Sequence, residues 1–188
     1  MGAVDSEMIL VVDMNFKKDS LGFYEFVSPI ISVATELDEC VVRHYSELRQ
    51  EDLSNCSRII LSGTALKDNT TLNQTEKFEW IKNYDKPILG ICAGMQTTGL
   101  VFGARLEKCL EIGMTQITTL MANPLFSSSF KAYALHNYSV QPSPEFDVLA
   151  ESGKCLQAIK HKQKDIYGVL FHPEVRNKEV IQHFIHAL

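Results

Sequence analysis

No stretch of this 188-residue chain is apolar for long enough to cross a bilayer, which sets aside a membrane-spanning reading. Positive charge is scarce as well. Eighteen Lys and Arg stand against 23 Asp and Glu, a net charge of −5, so the basic patch or stripe of a nucleic-acid binder is not to be expected. Neither Cys-x-x-Cys nor His-x-x-x-His occurs, and the spacings that announce zinc are therefore missing. No Gly-x-x-x-x-Gly-Lys-Ser/Thr loop is present to cradle a nucleoside triphosphate. The opening residues, MGAVDSE, are acidic and lack a signal-peptide pattern. Five cysteines, an odd number without paired spacing, point to a reducing compartment, with the cytoplasm the simplest address. Of these, Cys40, Cys56, Cys109 and Cys155 read as packing or surface residues. No metal and no cofactor is expected.

What remains is an ordinary globular composition, 45% hydrophobic and 22% charged, with length enough for one domain over residues 1–188 and a sizeable core. The first half alternates strand and helix patterns. Apolar runs at Met8 to Asp13, Cys40 to Tyr45, Arg58 to Leu61 and Pro87 to Ile91 read as buried strands. Between them, Ser20 to Leu37 reads as a helix interrupted or bent at Pro29, and Thr75 to Tyr84 as a helix with Phe78 and Ile81 facing the core. This order predicts an α/β fold of three layers: a mostly parallel central sheet with helices on both faces. From Ala104 to Ile159 the pattern changes to short alternating runs (Gln116 to Leu120, Ala132 to Leu135, Val148 to Glu151) separated by turn residues, which predicts a smaller mixed or antiparallel sheet beside the first. Asn177 to Leu188 reads as a terminal helix, and Asn123-Pro124-Leu125-Phe126 as a loop over the site.

Two segments carry chemistry. The first is Gly90-Ile91-Cys92-Ala93-Gly94-Met95-Gln96, where an apolar strand ends in a cysteine flanked by glycines and a helix follows. This is the pattern of a nucleophile elbow, in which small neighbours make room for a sharp turn and the helix N-terminus supplies positive potential and free amides. The alternative is a buried, inert cysteine in an ordinary turn. The second is Phe171-His172-Pro173-Glu174: a strand halted by proline, with a histidine at its end and a carboxylate two residues on that can fix the ring's tautomer and orientation. Together they predict a Cys92–His172–Glu174 triad.

GICAGMQ with FHPEV resembles the class I glutamine amidotransferases, and the likeness runs from about Met8 to the C-terminus. It implies a glutaminase that attacks the side-chain amide of glutamine through Cys92, passes by a γ-glutamyl thioester, and supplies ammonia to a separate ATP-dependent synthetase. It also implies a free-standing subunit. The GMQ elbow and compact size resemble the glutaminase subunits that serve GMP synthesis. However, Val12-Asp13-Met14-Asn15-Phe16 departs from their Asp-Phe-Gly-Ser-Gln segment, so subunits serving imidazole-glycerol-phosphate, anthranilate or aminodeoxychorismate synthesis stay open. By the same resemblance the oxyanion hole takes the backbone N–H of Ala93 and one from the Ser62-Gly63-Thr64-Ala65 turn. Gly63, Gln96, Asn137 and Tyr138 fall to substrate binding.

Three positions depart from the family pattern. Thr64 stands where a second glycine is usual and disfavours positive φ. The turn thus predicts a hole completed only when substrate or partner moves this loop; the alternative is Thr64 at ordinary φ. Ala93 replaces a larger Tyr or Leu, which keeps the amide and loosens the pocket entrance. Asn137 takes a glycine position and tolerates left-handed geometry. His136 then reads as structural or partner-facing, and His44, His161, His183 and His186 as solvated. Two other functions fit the same residues: a hydrolase of γ-glutamyl peptides or conjugates, and a catalytically degenerate binding or regulatory subunit.

Overall fold

A computed structural model describes residues 8–188. In chain order the elements are β1 (Ile9–Asp13), α1 (Ser28–Ala34), β2 (Cys40–His44), α2 (Gln50–Asn55), β3 (Arg58–Leu61), β4 (Ile88–Ile91), α3 (Ala93–Val101), β5 (Arg105–Thr119), β6 (Phe130–Gln141), β7 (Phe146–Glu151), β8 (Leu156–His161), β9 (Ile166–Val169) and α4 (Lys178–Ala187). β1, β3, β4 and β9 are buried at every position, which is why they read as unbroken apolar runs rather than as alternating ones.

The described strands follow one order, β2-β1-β3-β4-β9-β8-β7-β5-β6. Its first four pairings are parallel, and the other four are antiparallel. The expected smaller sheet is therefore a continuation of the parallel one, and parallel pairing does not dominate. The reason is the length of β5. Its 15 residues pair with β6 from Arg105 to Ile117, and then its end, Thr118 and Thr119, crosses to β7. The short runs seen in the sequence are pieces of this long hairpin.

Alternate residues of the parallel strands feed two apolar layers. Ile9, Val11, Ile60 and Leu89 face Ile30, Val33, Val180 and Phe184 of α1 and α4. Leu10, Val12, Ile59 and Leu61 face Phe78, Ile81, Met95 and Val101 on the other side. Phe78 and Ile81 are buried as expected, although their segment, Thr75–Asn83, winds as a 3₁₀ helix. The predicted Ser20–Leu37 helix divides into a π-helical turn, Phe23–Val27, and α1, with Pro29 in the first turn of α1, where a missing N–H costs nothing.

Three smaller expectations change. Asn123–Phe126 does not cover the site: Leu125 and Phe126 are buried, and the Leu125 carbonyl meets His183 Nδ1 on α4 at 2.8 Å. His44 and His161 are buried rather than solvated, unlike His183 and His186. His44 Nε2 meets the Asn15 carbonyl at 2.8 Å, and His161 Nδ1 accepts the N–H groups of Gln163 and Lys164, each at 3.1 Å. No helix among the described residues is long and apolar enough to cross a membrane.

Candidate active site

β4 ends at the sheet's centre, between β3 and β9, and its next residue is Cys92. Cys92 has φ 48° and ψ −102°, one of two non-glycine positive φ values among the described residues. Such a conformation costs of order 1–3 kcal/mol and persists only where the surroundings enforce it. Here they do. The Cys92 N–H donates to the Val169 carbonyl at 2.8 Å, and α3 starts at the next residue. The flanking glycines are steric necessities: a Cβ at Gly90 would lie 2.6 Å from Met95 N, and one at Gly94 2.5 Å from the Leu61 carbonyl oxygen. The elbow read from the sequence is thus present, with the Ala93 amide at the start of the helix.

β9 delivers the second group. Beyond it, His172 is pinned by its N–H to the Tyr133 carbonyl on β6 at 2.8 Å. Its Nδ1 meets Glu174 Oε1 at 2.7 Å, and both side chains are fully buried. The other Glu174 oxygen has no hydrogen-bond partner among the described residues, so the imidazole is its carboxylate's strong contact. Phe26 lies over the imidazole, ring centroids 5.4 Å apart. His172 Nε2 is buried with no hydrogen-bond partner and is the ring atom left for the nucleophile. Burial works against a charged imidazole. The Glu174 carboxylate and then the Cys92 sulfur outweigh it and hold the His172 pKa well above the ordinary histidine range.

Gly63 explains how close these parts lie. A Cβ there would stand 2.6 Å from His172 Cε1 and 3.5 Å from Cys92 Cβ, so the turn after β3 presses on both. Ser62 anchors that turn, accepting the Met14 N–H at 3.1 Å and donating to the Gly63 carbonyl at 3.0 Å. Thr64 is buried and is not among the positive-φ residues. The backbone strain expected there is absent, and the Thr64 hydroxyl instead donates to the Asp68 carbonyl at 3.1 Å.

Opposite the turn runs β6. Cys92 Sγ lies 3.6 Å from the Leu135 carbonyl. Gln96 is buried rather than on a helix surface, and its Nε2 donates to the Tyr138 carbonyl at 2.7 Å. Asn137 is an ordinary strand residue without left-handed φ, and its Nδ2 donates to the Leu66 carbonyl at 2.7 Å, tying β6 across to the 64–68 loop. The cleft lined by Thr64, Cys92, Gln96, Asn137 and Tyr138 has a volume of about 10 Å³, the room of about one water. Every site residue inferred from the sequence therefore gathers here: Cys92, Gln96, Thr64, Asn137 and Tyr138 line the cleft, Ala93 follows the nucleophile, and Gly63, His172 and Glu174 stand behind it. Sequence reasoning missed Phe26, Leu66 and Asp68. Asp68 fixes the loop by accepting the Phe16 N–H at 2.7 Å and the Thr70 N–H at 3.1 Å. Its only sequence signal is that of a turn residue.

A cysteine elbow on an α/β sheet, facing a buried His–Glu pair, defines a thiol-triad site of the acyl-transfer type. The chain belongs to the class I glutamine amidotransferases, whose family model matches residues 23–187. It is 42% identical over 120 residues to the glutamine-hydrolysing subunit of GMP synthase from Methanosphaera stadtmanae, a match that covers 56% of this chain and 63% of that protein, just under two thirds of its length. It is 35% identical over 167 residues to the corresponding protein from Methanococcus maripaludis strain C5, covering 85% of this chain and 81% of that one. The crystal structure of a candidate GMP synthase subunit from Thermoplasma acidophilum superimposes with a TM-score of 0.82 at 26% identity, over 96% of this chain and 92% of the other.

Proposed function

We propose that this chain hydrolyses the side-chain amide of glutamine and hands the ammonia to a separate, ATP-dependent synthetase, GMP synthase being the enzyme its relatives name. The observation that carries the reading is the strained Cys92 at the N-terminus of α3, facing a buried His172 held by Glu174 at 2.7 Å. Cys92 gives its proton to His172, and the thiolate attacks the carboxamide carbon. The negative charge that develops on the amide oxygen meets the Ala93 N–H and an N–H of the Gly63–Thr64 turn, donors worth roughly 3–4 kcal/mol each. Collapse of the tetrahedral adduct breaks the C–N bond. Imidazolium returns the proton to the departing nitrogen, and ammonia and a γ-glutamyl thioester result. Water, deprotonated by the now neutral His172, then attacks the thioester. Glutamate leaves and the thiol is restored.

Gln96, Gly63, Asn137 and Tyr138 shape the glutamine pocket in this reading. A cleft of about 10 Å³ does not admit glutamine, so the 64–70 loop swings out for binding, and the Asn137–Leu66 bond is the contact it breaks. Closure by side-chain hydrogen bonds, not strain at Thr64, then limits turnover of the isolated chain until a partner holds the loop open. The three-layer, single-domain architecture and a cytoplasmic setting belong to the same reading. Glutamate release from glutamine by the purified chain, beside Cys92→Ala, tests it. Release abolished by the substitution supports the thiol route. Release that persists in Cys92→Ala, or silence even in the presence of the synthetase component of GMP synthase, would overturn it.

A further inference from the structure

Behind β6, on the side away from the nucleophile, four residues distant in sequence come together: Cys109 and Glu111 of β5, His136 of β6, and Cys155 just before β8. One donor atom from each lies within 4.8 Å of all the others. Two of the separations are shorter. Glu111 Oε2 is 3.3 Å from His136 Nε2 and 3.5 Å from Cys155 Sγ. A tetrahedron built on Zn–N, Zn–O and Zn–S bonds of about 2.0–2.3 Å has edges of roughly 3.3–3.8 Å, so these atoms already stand near ligand spacing.

We propose that Cys109, Glu111, His136 and Cys155 form a structural site for a zinc-class divalent cation. The donor set fits: two soft thiolates, an imidazole and a carboxylate favour tetrahedral zinc over hard cations such as magnesium or calcium. Orientation is built in. His136 Nδ1 is engaged by the Cys109 carbonyl at 3.0 Å, which leaves Nε2 directed at the cluster, and Ser152 Oγ donates to Glu111 Oε2 at 3.0 Å. β5 and β6 set Glu111 directly opposite His136, and the break in β5 register between Lys108 and Glu111 lies at Cys109.

A second observation marks the same point. The Gln157 side chain is fully buried, and its Nε2 stands among the donors, 2.6 Å from Glu111 Oε2, 3.4 Å from His136 Nε2 and 3.5 Å from Cys155 Sγ. Its Oε1 is buried with no hydrogen-bond partner. Lone pairs of three ligands therefore converge on the positive end of an amide dipole whose other end is unsatisfied, an arrangement in which a cation is the better occupant. Rotation of the Gln157 amide clears that position. A cleft of about 300 Å³, lined by Lys108, Cys109, Leu110, Asn137 and Tyr138, gives the ion a way in. The site would brace the segment that flanks the nucleophile, because His136 stands between Leu135, whose carbonyl lies beside Cys92, and Asn137, which ties down the loop.

The test uses the full chain carrying Cys92→Ala, so that the nucleophile does not compete, reduced and stripped of metal. Zinc is titrated against a chromophoric chelator, and cobalt is added in parallel as a spectroscopic substitute. The expected result is one equivalent of zinc, a cobalt spectrum with thiolate charge-transfer bands and tetrahedral d–d bands, and loss of both in Cys109→Ser and Cys155→Ser. Ser152→Ala should weaken zinc binding about 10–100-fold. If a serine variant fails to fold, the charge-transfer intensity of the parent protein decides. Binding unchanged in the serine variants, a cobalt spectrum without thiolate ligation, or a Cys109–Cys155 disulfide in place of binding in the reduced protein would overturn the proposal.

Discussion

Gly63 has the least room of any residue at the site. A methyl group there would collide with His172 Cε1 at 2.6 Å, deep inside van der Waals contact, and the neighbour it meets is a ring already fixed by Glu174. Gly63→Ala should therefore displace the imidazole and lower kcat/KM for glutamine about 10²-fold, the cost typical of a misplacement near 1 Å. Steady-state kinetics beside an unfolding curve checks it, and near-normal kcat/KM would show that the ring has room to yield. His172 makes a second prediction. Its pKa is raised in the folded protein relative to about 6.5 in the unfolded chain, so its charge adds stability that is complete below about pH 6.5 and disappears as pH rises through the folded value. Urea unfolding across neutral and alkaline pH should show that decline, and Glu174→Gln, which removes the main charge that raises the pKa, should flatten it. Equal slopes in the two proteins would deny the coupling.

At the scale of elements, the elbow and the β6 segment behave differently. The β4–Cys92–α3 turn is legible in the sequence because its demands are local. Gly90 and Gly94 are required by backbone atoms close to them in the fold, and a glycine pattern records that need. The 64–70 loop and β6 meet through Asn137 Nδ2 and the Leu66 carbonyl, groups 71 residues apart, and any residue pair can lend a carbonyl. Sequence reading accordingly placed Thr64 and Asn137 at the site but misjudged what each does. Removing the tie with Asn137→Ala should raise amide exchange across residues 65–69, measured by mass spectrometry, while the elbow segment stays protected. Unchanged exchange in the loop would show that Thr64 and Asp68 hold it without Asn137.

For the whole molecule, the sheet continues through all the described strands, and its parallel half is shared by two apolar layers. Neither half keeps a closed core when separated from the other, because β9 pairs with β4 on one side and β8 on the other. Unfolding in urea should then be a single cooperative transition, with the fluorescence of Trp80 and the far-UV circular dichroism sharing one midpoint. Distinct midpoints would divide the molecule into separately stable parts. The same continuity runs from the Cys109–Cys155 cluster through β6 to Cys92, so an ion bound there would act on the site through the strand itself.

The sequence by itself determined the α/β class, the strand and helix positions of the first half and the triad. Each rests on short-range rules: apolar runs for buried strands, glycines around a strained nucleophile, and a proline that ends the strand beside His172. Tertiary structure alone decided that the antiparallel strands extend the parallel ones, because a 15-residue β5 reaches two partners that its own residues do not name. It alone decided that Thr64 is unstrained and that His44 and His161 are buried. It also brought Cys109, Glu111, His136 and Cys155 together from three separate segments. Ligands gathered across a hairpin and a neighbouring strand leave no spacing motif, because what unites them is strand register and not distance along the chain.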